Sequence, residues 1–217
     1  MGDERTAEEL GRAFPGVPVR QSGLGHVLAT VPHERSLVVA TPGAEPRTDG
    51  GFRAALVLDA GSMLARPDLR AAEESLRRWM AAAALVVPAA DGGEVMVVGD
   101  PSHRAVQALI RWDPAGFAAR ELADRASASL PPAARIVELV GPSSSVEELV
   151  AGTDLPASAD MLGPVPTGTD DTVRVLLRAP LTDGAALATA VRASAGVRSA
   201  RRRPGPVRVR VDPVDLG

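Results

Sequence analysis

Cysteine is absent from all 217 residues, and so are lysine, asparagine and tyrosine. Without cysteine the chain has no disulfide, no thiolate nucleophile and no cysteine-ligated zinc. Without lysine it has no Walker A lysine, no Schiff base and no lysine general base. The aromatic content is three Phe and two Trp, so the core must be assembled from Val, Leu and Ala, which bury less area per residue than rings do. All 24 basic residues are arginine, set against 27 Asp and Glu for a formal net charge of -3. That balance excludes a uniformly basic nucleic-acid coat. Long apolar runs are missing as well. None approaches the roughly 20 residues that cross a bilayer, and the opening MGDERTAEEL is acidic where a signal peptide is basic. Cytoplasmic residence is the expectation.

What is present is a globular balance, 45% hydrophobic and 24% charged, with 21 Gly and 19 Pro as punctuation. ERTAEELGRAF places Leu10, Ala13 and Phe14 at helical spacing before Pro15-Gly16. VPVR reads as a brief strand, and SLVVAT, AALVLDA and GEVMVVGD are short apolar runs of the kind that buried parallel strands use. Between the last two, PDLRAAEESLRRWMAAAALVV aligns Leu69, Ala72, Leu76, Trp79, Met80, Ala83 and Val87 on one helical face. It predicts a helix of about five turns at 3.6 residues each, N-capped by Asp68 and stopped by Pro88. Two amphipathic helices follow, SHRAVQALIRW and PAGFAARELADRAS. This order of strands and helices is an α/β pattern with a mostly parallel sheet.

The pattern changes at Pro131-Pro132. ARIVELVG, ADMLGPVP, TVRVLLRAP and PVRVRVDP read as strands, and SSVEELVAG and DGAALATAVRASAGV as helices, in the order of a split βαβ, ferredoxin-like layer. TVRVLLR and VRVRV alternate valine and leucine with arginine, the period-two mark of a sheet with one wet face. Two domains are therefore expected, 1–130 and 131–217.

Several chemistry-bearing pieces have plain structural readings. His26, His33 and His103 lie far apart in loops without acidic partners at ligand spacing, so no metal site is expected. SGLGH lacks a lysine and a following helix, which makes it a turn and not a phosphate loop. The serines of PSSSVEE are helix-capping residues ahead of Glu147 and Glu148. Trp79 and Trp112 are expected in the core.

In order and wording these pieces resemble the C-terminal third of the replication-restart proteins of the PriA (primosomal protein N′) family. FPGVPV is similar to the start of that family's second helicase lobe. LVLDAGSMLARPDLRAAEE resembles its strand, aspartate and "DfRaaEr" stretch, and GGEVMVVGDPSHRAVQALIRWDPAGFAARELADRASASLPP its "GeVviQT" to "yPP" stretch. MLGPVP and VRVRVDPVDL resemble the family's "vlGPvp" and "vdvDP". The resemblance implies a degenerate RecA-like second helicase lobe with a parallel sheet, followed by a ferredoxin-like α+β C-terminal domain. The spelling is closest to an actinobacterial member. By the same resemblance, the family's fork-end-binding domain, winged helix, first helicase lobe and zinc-holding cysteines would lie before residue 1.

The chain departs from the family where the chemistry sits. Helicase-active members carry "GTQm.aKG" where this sequence has ATPGAEP, keeping Thr41 and losing the glutamine and lysine. Against "QVaGRAGR" it places Leu85 and Pro88 at the two arginines. An arginine that stabilises transferring phosphoryl charge contributes about 10³ to 10⁵ in rate, which neither leucine nor proline can supply. The expectation is a helicase-like scaffold without catalysis, holding neither ATP nor zinc.

The dense basic feature is RSARRRPGPVRVRV, with Arg198, Arg201, Arg202, Arg203, Arg208 and Arg210. Together with Arg174 and Arg178 these form a candidate positive stripe for phosphates or an acidic peptide. The implied partners are forked or single-stranded DNA, single-stranded-DNA-binding protein, and the replicative helicase with other primosome proteins; no membrane is implied. Two other readings remain open: an ATP-dependent helicase completed by an N-terminal lobe, and an unrelated α/β nucleotide-binding enzyme with Thr41, Asp59 and Asp100 lining a pocket.

Overall fold

The computed structural model describes residues 2–168 and 171–213. The closing Val-Asp-Leu of VRVRVDPVDL lies outside the described residues. The fold is mixed α/β with small sheets, and the chain divides into two compact units, Met1–Pro114 and Ala115–Gly217. The Pro131-Pro132 step lies inside the second unit.

The first unit contains α1 (Gly2–Ala13), β1 (Val19–Ser22), β2 (Leu37–Ala40), β3 (Ala54–Val57), α2 (Ala60–Leu64), α3 (Ala71–Ala83), β4 (Glu94–Val97) and α4 (Arg104–Arg111). Strand pairing is parallel, β1 with β2 and β3 with β4, but the pairs form separate two-stranded sheets and not one continuous layer. The apolar runs here are also less buried than expected. Leu56 and Met96, opposite one another in the β3–β4 register, are 56% and 48% exposed. Continuous apolar sequence thus marks strand capacity, and burial depends on what packs against it.

Helix α3 keeps Leu76 and Trp79 buried, as its spacing predicts, but it stops at Ala83 instead of Val87. Two ladder bonds take over from there: Phe52 N–H donates to the Leu85 carbonyl at 2.8 Å, and Val87 N–H to the Phe52 carbonyl at 2.9 Å. Val86 and Val87 are β-branched and weak helix formers, so the bridge to Phe52 wins over another helical turn. At the other end, the Asp68 carboxylate accepts from the Arg70 amide at 2.8 Å in the turn before the helix, and Arg70 occupies the cap. Trp112 is not in the core: it ends α4 in the left-handed conformation, φ 53, and is 55% exposed. SGLGH is a turn closed by reciprocal Gly23 and His26 backbone bonds of 3.1 and 3.0 Å.

The second unit follows α5 (Pro114–Ser127) with β5 (Ala134–Pro142), α6 (Ser143–Ala151), β6 (Asp160–Pro166), β7 (Thr172–Pro180), α7 (Leu181–Ala200) and β8 (Arg208–Val211). Its sheet order is β6-β7-β5-β8 with every neighbour antiparallel, the arrangement of a split βαβ repeated twice. The period-two pattern is realised in β7: Val175, Leu177 and Ala179 point inward with Val137 and Leu139 of β5, against Val146 and Leu149 of α6 and Leu187 and Val191 of α7. Edge strand β6 carries Pro164, Pro166 and a register shift between Leu162 and Val165, devices that blunt an open edge. At the bulge, Gly163 has φ +101, and an added Cβ would stand 2.8 Å from the Arg174 carbonyl oxygen, so only glycine fits. Ser143 is the first residue of α6 and does not cap it; its hydroxyl donates to Glu147 at 2.9 Å.

Leu177 is fully buried at the centre of this core. Leu177→Ala removes its packing from both helices, and the expected cost is about 3 kcal/mol of unfolding free energy, measured by urea titration.

Candidate functional site

The loop Thr41–Glu45 leaves the carboxyl end of β2, where open α/β sheets place ligands. Here its polar groups are taken up internally. Thr41 N–H donates to the Ser22 carbonyl and the Thr41 carbonyl accepts from Ala44 N–H, both at 2.9 Å. The Glu45 carboxylate accepts from Gly43 N–H with its two oxygens at 2.9 and 3.0 Å, and Ser22 Oγ donates to the Ala44 carbonyl at 2.6 Å. Arg78 reaches across from α3 to donate to the Pro42 carbonyl. The Glu45 carboxylate thus occupies the Gly43 amide of this loop. Leu85 and Pro88 lie in the backbone bridge and turn after α3, with Pro88 exposed and its carbonyl accepting from Asp91 and Gly93. Among the described residues no group of three or more His, Cys, Asp or Glu could hold a metal ion.

Arg78 is positioned by Glu74, which accepts from Arg78 Nε at 2.6 Å and from Arg77 Nε and Nη2 at 2.7 Å each. These hydrogen bonds, Arg77 first and Arg78 second, lower the Glu74 pKa to about 2. A carboxylate whose pKa is depressed on folding stabilises the fold above its unfolded value, near 4.5, and that contribution drains away as pH falls toward 2. The Glu74 side chain is 32% exposed, so screening limits the contribution. Glu74→Gln is expected to cost about 1 kcal/mol at neutral pH and nothing at about pH 2, as read from denaturant midpoints at the two pH values.

The structure separates the eight arginines of the sequence-predicted stripe. The register pairs Val140 of β5 with both Arg174 and Arg208, Ile136 with Arg178, and Glu138 with Arg210. These four arginines share the sheet face opposite α6 and α7. Arg198 sits in the last turn of α7, with Arg201, Arg202 and Arg203 in the turn that follows, on the helical side of the sheet. Arg198, Arg201 and Arg203 line a groove of about 430 Å³ between α6 and α7, together with Glu148, Asp154 and Ser194. A smaller cavity of about 230 Å³ lies beside Arg178, Asp160 and Ser158. Neither takes in Thr41, Asp59 or Asp100.

Pairing with acids divides the arginines further. Arg210 Nε donates to Glu138 at 2.6 Å, Arg178 Nη2 to Asp160 at 3.0 Å, and Arg203 Nε to Glu148 at 3.1 Å. Arg198 also binds Glu148, and donates to Ser145 Oγ at 3.0 Å, the Gly205 carbonyl at 2.8 Å and the Pro204 carbonyl. Its side chain is 10% exposed, so it is a clamp tying the 204–205 turn to α6. Arg174, Arg201, Arg202 and Arg208 have no acidic partner among the described residues. The acids that make this division, Glu138, Glu148 and Asp160, were not singled out in the sequence as charge partners. The one usable signal was Glu138, a lone carboxylate in the apolar run ARIVELVGP, which requires a partner if buried, and it is 2% exposed.

Arg198→Ala leaves two carbonyls and Glu148 short of a charged donor, and a loss of about 2–3 kcal/mol in unfolding free energy is expected. The matching measurement is urea unfolding beside an exposed control, Arg202→Ala, expected within about 0.5 kcal/mol of the parent.

Residues 126–214 match the family model "Primosomal protein N C-terminal domain". The whole chain is 48% identical over 228 residues to "Probable replication restart protein PriA" of Mycobacterium leprae (strain TN), covering 35% of that protein. It is 46% identical over 235 residues to the protein of the same description from Mycobacterium tuberculosis (strain CDC 1551 / Oshkosh), covering 36% of it. The chain thus spans about a third of the length of the curated relatives it matches. No helix of the described residues is long and apolar enough to cross a membrane.

Proposed function

Because the chain belongs to the replication restart protein PriA family and corresponds to its C-terminal part, we propose that it serves replication restart by binding, without nucleotide chemistry of its own. In this reading the first unit is a RecA-like second helicase lobe that has lost its reactive groups. The second unit engages forked or single-stranded DNA and single-stranded-DNA-binding protein while the replicative helicase and other primosome proteins are assembled. The setting is the cytoplasm, with no ATP or zinc held by these residues.

The observation that carries the reading is the set of arginines without acidic partners, Arg174, Arg201, Arg202 and Arg208, in the domain that matches the family model. An unpaired guanidinium on a protein surface is available to phosphate oxygens and to carboxylates of an acidic peptide. The loss of catalysis is supported by Leu85 and Pro88, whose side chains offer no hydrogen-bond donor, and by the Glu45 carboxylate on the Gly43 amide.

Titration of the chain with a labelled DNA fork at rising salt tests the reading. Log K is expected to fall with log salt by about 0.9 for each duplex phosphate and about 0.7 for each single-strand phosphate engaged; no binding, or a slope near zero, overturns it. A second titration uses the acidic tail peptide of single-stranded-DNA-binding protein. Saturable binding is expected, lost in the Arg201→Glu, Arg202→Glu, Arg203→Glu variant. In a third, a fluorescent ATP analogue is expected to remain unbound.

A further inference from the structure

We infer that the single-stranded DNA contact runs across one end of the β6-β7-β5-β8 sheet face turned away from α6 and α7, along the row Arg208, Val140, Arg174 and Val165, where Ile136 and Glu138 further along the face are buried, and not at the end of α7. The inference rests on the DNA-binding reading above and assigns it a surface.

Register places these four residues side by side on adjacent strands: Arg208 opposite Val140, Val140 opposite Arg174, Arg174 opposite Val165. Strands about 4.8 Å apart put the two arginines about 10 Å from each other, one on each side of Val140. Neither has an acidic partner among the described residues. The next row contains Arg210, Glu138, Leu176 and Leu162, where the Arg210–Glu138 ion pair cancels the charge. In the row after that, Arg178 opposes and binds Asp160. Arg135, on the other side of β5, is held by Asp212. The positive surplus of the face therefore collects at Arg174 and Arg208.

The α7 end is a poorer phosphate site despite having more arginines. Arg198 is buried in its clamp, Arg203 is paired with Glu148, and Asp154 lines the same groove. The helix also presents its carbonyl end there, where the macrodipole is negative.

The form of the face selects the kind of nucleic acid. A major groove admits a helix or a two-stranded ribbon, and a four-stranded sheet is too broad to enter it, whereas a single strand can lie across it. No aromatic residue occupies the three rows, so bases have no stacking platform and the contact is led by the backbone phosphates. Val140 and the 49% exposed Val165 offer apolar contact that does not distinguish bases.

The experiment measures binding of the whole chain to labelled oligodeoxythymidylate and to a mixed-sequence strand of equal length. Salt is varied between about 50 and 200 mM. Arg174→Ala with Arg208→Ala is expected to flatten the log–log slope by about 1.4, two phosphates at ~0.7 each. Over that fourfold range of salt, the affinity change shrinks about sevenfold. Arg174→Lys with Arg208→Lys keeps the slope, as does Arg201→Ala with Arg202→Ala. Should the alanine pair fail to fold, Arg174→Gln with Arg208→Gln gives the same reading. The two strands are expected to bind within about threefold of each other, and a tenfold preference overturns the phosphate-led contact. An unchanged slope in the Arg174/Arg208 variants, or a flattened slope in the Arg201/Arg202 variant, overturns the surface assignment while leaving DNA binding in place. Absence of strand and fork binding by the parent chain overturns the DNA-binding reading itself.

Discussion

Strand β5 is the constraint on which the second unit depends. Its nine residues pair antiparallel with β7 along their full length and with β8 through Val137–Val140. One side of it carries Val137 and Leu139 into the core beneath α6 and α7, and the other carries Ile136, Glu138 and Val140. A strand has only two faces, so burying the first set fixes the direction of the second. A slip of one residue would drive Glu138 into the Leu177–Leu187 core and take Leu139 out of it. The arrangement of arginines on the sheet is thus a consequence of the hydrophobic register: Arg174 and Arg208 stand together because each opposes Val140.

Acidic residues decide which arginines are available. An arginine-rich sequence with a net charge of -3 has no general cationic surface, and local positive charge arises only where carboxylates are withheld. Glu138, Glu148, Asp160 and Glu74 each take up one or two guanidiniums. In the first unit the same economy closes a loop, since Glu74 orients Arg78 toward the Pro42 carbonyl and Glu45 covers the Gly43 amide. The loop is thus held by its own neighbours.

Legibility in the sequence followed the strength of local periodicity. The valine and arginine alternation of β7 and β8 was readable because a half-buried strand imposes period two on residue choice. The buried face of α3 was readable for the matching reason, and Trp79 is where the spacing puts it. The end of α3 was not, because the helical spacing carried the reading to Val87 while the decisive partner, Phe52, is 33 residues before Leu85 in sequence. Trp112 was misplaced because helical spacing says nothing about the left-handed step that ends α4 and turns the ring outward. The basic run near the C-terminus was visible as composition, but its division into clamp, ion pair and unpaired cation required carboxylates from β5, α6 and β6.

By itself the sequence determined which chemistries this chain lacks, the elements of strongest period, and the family whose motifs it carries, because each of these is a property of residue identity and spacing along the chain. Tertiary structure alone decided where α3 stops, that the first-unit strands form two separate pairs, and that eight arginines resolve into two surfaces on opposite sides of one sheet. The reason is the same in each case. Hydrogen-bond partners, register and ion pairing join residues distant in sequence, and no local pattern encodes which acid an arginine will meet.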